Sequence, residues 1–114
     1  MQVKEAGYYR IRLVQQRTAG GPEMWTAEHP DLLGCHVVDQ NPQGALNELS
    51  RVRAEWIERA RSQGRNVPAP DRTFRYDLIL APDASQEEAQ NAKSALARTG
   101  AQDIPTIEAG SLTF

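Results

Sequence analysis

The chain has 114 residues, with 13 Lys or Arg against 15 Asp or Glu for a formal charge of -2, 39% hydrophobic residues and a mean hydropathy of -0.61. That length suits a single domain (1–114), and the composition excludes a disordered or membrane-embedded chain. Apolar runs fall far short of the roughly 20 residues that span a bilayer. The first residues carry no apolar export core, and the one cysteine, Cys35, leaves no internal disulfide, so a cytoplasmic location is expected.

From Gly7 to Gln15 the residues alternate, with Tyr9, Ile11 and Leu13 on one face and Arg10 and Arg12 on the other, which predicts a strand with one wet side. Thr18 to Pro22 supplies a turn, and Met24 to Glu28 a second, antiparallel strand. Pro30 interrupts that strand. Pro30, Asp31 and Gly34 then form a structural turn into a third short strand, Cys35 to Asp39, so that three strands make a meander.

Asn41-Pro42 starts a helix, with Asn as cap and Pro at the first position, where its missing N–H costs nothing. Ala45, Leu49, Val52, Trp56 and Ala60 recur at helical spacing and belong in the core, and Gly64 ends the helix. After a proline-rich connector, Thr73 to Leu80 alternates as a fourth strand. Ser85 to Glu88 has capping-box form and opens a helix predicted to run to about Ala97 and stop at Gly100, burying Ala89, Ala92 and Leu96. Ile104 to Glu108 suggests an edge strand. The expected fold is α+β, with helices packed on one mostly antiparallel sheet.

Reactive chemistry is sparse. His29, Cys35 and His36 lack the Cys-x-x-Cys or His-x-x-x-His spacing of a metal site, and neighbours on a strand point to opposite faces, so no metal or other cofactor is expected. Nothing supplies Cys35 with an oxyanion hole or an oriented base, and it reads as a small buried hydrophobe. Gly20-Gly21 precedes a strand, not the helix N-terminus that would hold phosphate. Arg51, Arg53, Arg59, Arg61 and Arg65 cluster in one fifteen-residue stretch, so a nucleic-acid-binding module using 51–65 is an alternative. The interleaved Glu55 and Glu58 also fit a solvated face of ion pairs.

The stretch YYRIRLVQQ, then GGPEMWTAEHPDLLGCHVVDQNPQGALNELSRVRAEWIERARSQGRNVPAP, resembles the N-terminal domain of HicB-like antitoxins over about residues 7–70. The matching positions are Pro30-Asp31-Leu32, Gly34, Cys35, Ala45, Trp56, Gly64, Pro68 and Pro70, in the family's order. The resemblance implies a partial ribonuclease-H-like fold without catalytic carboxylates, and Arg10 and Arg12 stand on the first strand where an acid would be needed. It implies as partner a HicA-type RNA-cleaving toxin whose active site the antitoxin covers, and self-association as a homodimer or higher. Arg10, Arg12, Trp25, Leu32 and Leu33 are the candidate partner contacts. Two departures stand out. The family's Thr-x-Glu-Glu-Ala helix start is replaced by Asn41-Pro42-Gln43-Gly44-Ala45, and residues 71–114 form a strand and helix extension, too little for a ribbon-helix-helix or helix-turn-helix, so DNA binding is not expected.

Overall fold

The computed structural model describes residues 8–17 and 23–103. In chain order it has β1 (Ile11–Gln16), β2 (Met24–Glu28), β3 (His36–Asp39), α1 (Pro42–Ser62), β4 (Tyr76–Ile79) and α2 (Gln86–Asp103). The fold is α+β, as expected. The strands form one sheet in the order β3-β2-β1-β4, in which β1–β2 and β2–β3 are antiparallel and β4 runs parallel to β1. The expected turn at 18–22 and edge strand at 104–108 lie outside the described residues.

Both helices cover one face of this sheet. Alternation sends Ile11, Leu13, Trp25 and Ala27 into a core shared with Ala45, Leu46 and Leu49 of α1 and Ala92, Ala95 and Leu96 of α2. Each large aliphatic side chain so buried contributes about 1.5–3 kcal/mol. The small alanines of α2 let that helix approach α1 and the sheet closely.

Four boundaries differ from expectation. β3 begins at His36 rather than Cys35, whose N–H closes the turn on the Leu32 carbonyl. β1 begins at Ile11 rather than Gly7, because Tyr8 leaves the ladder for an isolated bridge to Asp71 and Tyr9 donates its hydroxyl to the Pro68 carbonyl at 2.6 Å. β4 is confined to Tyr76–Ile79, the stretch that can pair with Ile11 to Val14. α2 does not stop at Gly100 but continues to Asp103. A glycine inside a helix costs only about 1 kcal/mol relative to alanine, which an established helix can absorb.

The ends of α1 and the start of α2 follow the sequence closely. The Asn41 side chain accepts from the N–H groups of Gln43 at 2.8 Å and Gly44 at 3.1 Å, with Pro42 in the first turn. Gly64 has φ +72, the left-handed conformation that a non-glycine residue adopts only with strain. At α2, the Glu88 N–H donates to Ser85 Oγ and the Ser85 N–H to Glu88 Oε1, both at 3.0 Å, a complete capping box.

Candidate functional site

The segment from His29 to Cys35 is two β-turns in succession. The Leu32 N–H donates to the His29 carbonyl at 2.9 Å, with Pro30 at the position that suits its fixed φ. The Cys35 N–H donates to the Leu32 carbonyl at 2.9 Å, and Gly34 sits at the third position of that turn with φ +85, the type II signature. A bond from the His29 N–H to the Cys35 carbonyl at 3.0 Å closes the base. Leu32 is thereby turned fully into the core while its neighbour Leu33 is left 83% exposed.

Three side chains brace this arrangement from below and beside. The Trp56 indole N–H donates to the Leu33 carbonyl at 2.9 Å, and the Arg65 guanidinium lies 5.7 Å from the Trp56 ring centre. His29 is buried, with Nδ1 3.0 Å from the Arg10 carbonyl and the Tyr9 ring edge-on at 5.9 Å. The carbonyl can only accept, so Nδ1 carries the proton and Nε2 faces the Arg53 guanidinium at 3.5 Å as an acceptor. Desolvation first, and the nearby Arg53 charge after it, lower the His29 pKa from 6.5 to about 4, against the opposing bond to Arg10.

Beside the turn lies an open depression of about 220 Å³ lined by Arg12, Glu28, Pro30, Leu33, Gly34 and His36, among others. Arg12 pairs with Glu28 and Arg10 with Asp77, each at 3.3 Å, on the sheet face away from the helices. Cys35 is buried and its thiol is pushed up by that burial, so it is not activated as a nucleophile. Among the described residues no three His, Cys, Asp or Glu side chains stand together as metal ligands.

Of the five candidate contacts, Arg10, Arg12 and Leu33 are exposed. Trp25 and Leu32 are corrected to core residues: Trp25 is 2% exposed and Leu32 fully buried, because Trp25 alternates onto the helix-facing side of β2 and the turn rotates Leu32 inward. Trp56, expected in the core, is half-buried: it packs against the core cluster at its margin, with its indole N–H on the Leu33 carbonyl. Helical spacing does not announce that bond, although a buried or half-buried tryptophan N–H usually finds an acceptor.

On the arginine-rich helix, Arg51 is held by both Glu48 and Glu55. Among the described residues, no helix is long and apolar enough to cross a membrane. The chain matches no protein-family model, no curated protein and no solved structure.

Proposed function

We propose that this chain is a non-enzymatic, HicB-like protein, an antitoxin or antitoxin-derived, that binds a HicA-type RNA-cleaving toxin and covers its active site. The observation that carries the reading is the turn: an apolar side chain held 83% exposed on a backbone fixed by hydrogen bonds and by Trp56. Leaving a leucine in water costs solvation free energy that is recovered when a partner covers it, and a rigid turn loses little entropy on docking. Arg12 lines the depression beside that leucine as a register-setting charge, and Arg10 lies on the same face of the sheet.

The four-stranded sheet with helices on one face agrees with the partial ribonuclease-H-like fold that the resemblance implies. The alternative, nucleic-acid binding through residues 51–65, is weakened by the pairing of Arg51 with two glutamates and the placement of Arg65 over Trp56. The test is co-expression with a toxin-sized basic chain encoded in the neighbouring reading frame. Copurification and restored growth are expected, with Leu33→Asp abolishing both while the protein stays folded. A wild-type chain that neither copurifies nor protects rejects the proposal.

A further inference from the structure

β3 is an edge strand, and its register fixes which of its backbone groups face outward. The His29 N–H donates to the Cys35 carbonyl at 3.0 Å, so that facing pair is a hydrogen-bonded one. Antiparallel pairs alternate. The ladder therefore joins Ala27 to Val37 and Trp25 to Asp39, and the N–H and C=O groups of His36 and Val38 turn away from β2. The same alternation, carried across β2 to β1, aims the Ile11 N–H at β4, where it donates to the Arg75 carbonyl at 3.1 Å. Among the described residues no hydrogen bond reaches the outward groups of His36 or Val38.

An apolar stripe runs beside this edge. Trp56 of α1 bonds the Leu33 carbonyl just before β3, Val52 lies one helical turn ahead of Trp56, and Val37 faces the helices from β3. All three are half-buried at the margin of the core, and Leu33 stands exposed at the near end. Sheet and helix thus end with backbone donors and acceptors on the strand and apolar surface next to them. β3 carries no proline, lysine or bulge to guard it. Its protection is its length, since four residues make too few bonds to recruit a strand alone, and an added strand must also cover Leu33. At the opposite edge, the most exposed apolar side chains of β4, Tyr76 and Ile79, reach only 44% and 47%.

We propose that the toxin docks by strand addition: an extended segment of it pairs with the free edge of β3, and its side chains close over Leu33, Val37 and Trp56. This rests on the toxin reading and names how the partner is held. Two N–H and two C=O groups, recurring at every second residue about 7 Å apart, are the complement of an extended polypeptide. A phosphate chain has no donors to offer the two carbonyls. A second copy has only the four residues of β3 before residue 40 and the Asn41 cap, which leaves Leu33 beyond the paired stretch. The occupant is therefore a longer strand of another protein, apolar at alternate positions on the helix side.

Amide hydrogen exchange read by NMR tests this, on the full chain alone and copurified with the toxin-sized chain encoded next door. Alone and dilute, the His36 and Val38 amides are expected to exchange quickly, and in the complex to slow by about tenfold or more. Val38→Pro gives a second measurement. It removes one outward N–H and spares the β2 ladder, because Val37 before it is already extended. It is expected to weaken the complex by about tenfold relative to Val38→Ala, which trims the same side chain but keeps the donor. Should Val38→Pro fail to fold, exchange in the wild type still decides. A toxin that copurifies while both amides stay fast, or that binds the two variants equally, overturns strand addition and leaves the toxin reading standing. A wild-type chain that captures no toxin overturns both. Slow exchange in the dilute free chain would assign the edge to a segment of this chain, and slowing that grows with free-chain concentration would assign it to a second copy; either overturns the proposal.

Discussion

At the scale of single residues, His29 is the group whose chemistry the fold alters most. Its pKa is lowered from 6.5 to about 4, so the unfolded chain binds a proton that the folded one refuses. Stability from this group is fully present above about pH 6.5 and drains away as pH falls toward 4, by about 3 kcal/mol in all at about 1.4 kcal/mol per tenfold. Urea denaturation at a series of pH values should show this slope, and His29→Gln, which can still donate to the Arg10 carbonyl, should flatten it between about 6.5 and 5. Cys35 offers a second measurement. Its thiol is 2% exposed and pushed up by burial, so alkylation by iodoacetamide is expected to be slow in the native protein and to rise with the unfolded fraction. Residue identities alone could not sort Leu32 from Leu33 or hide Trp25, because side-chain direction depends on the φ of Gly34 and on the face of β2 that the helices cover.

Among the elements, the helix starts are the most legible features, since a cap is a local interaction between residues two or three apart. Asn41→Ala is expected to cost about 1 kcal/mol of stability by removing the acceptor for two N–H groups. Gly44 looks like a flaw in α1, yet it has a reason that only the fold reveals. A Cβ placed there would stand 3.1 Å from Asp39 Oδ2, and Asp39 Oδ1 already accepts the Asn41 N–H at 3.0 Å. Gly44→Ala alone should therefore gain less than the roughly 1 kcal/mol that alanine offers inside a helix, and that gain should appear once Asp39→Ala clears the space. A double-mutant cycle by thermal or urea denaturation measures the coupling; additive effects would show the contact to be unimportant. The end of α2 is hidden from the sequence because a glycine that could cap a helix and one that merely weakens it look alike there.

For the molecule as a whole, strand alternation exposes the meander and helical spacing exposes the core face of α1, while the parallel pairing of β4 with β1 cannot be read, since it joins segments more than sixty residues apart. That pairing matters for where the folding unit ends. The family resemblance stops near residue 70, but Leu13 of β1 is paired with Leu78 of β4, and Ala92, Ala95 and Leu96 of α2 complete the cluster around Ile11 and Trp25. Arg17, next to the end of β1, adds ties to Glu23, Asp83 and Glu88 at 3.4, 2.8 and 2.7 Å, which fasten the α2 start to the sheet. Removing residues 71–114 would leave β1 as a bare edge strand and open the apolar side of the sheet to water. The losses compare with Leu96→Ala alone, expected at about 2–5 kcal/mol, and several such terms exceed the roughly 5–15 kcal/mol that holds a domain together. A chain ending at Pro70 is thus expected to lack a cooperative thermal transition and to bind a hydrophobic dye. The full chain carrying Leu33→Asp, altered only at an exposed turn, should melt as the wild type does. A cooperative melt from the shortened chain would mean that the meander and α1 fold alone and that the strand and helix beyond them are an addition to a complete unit.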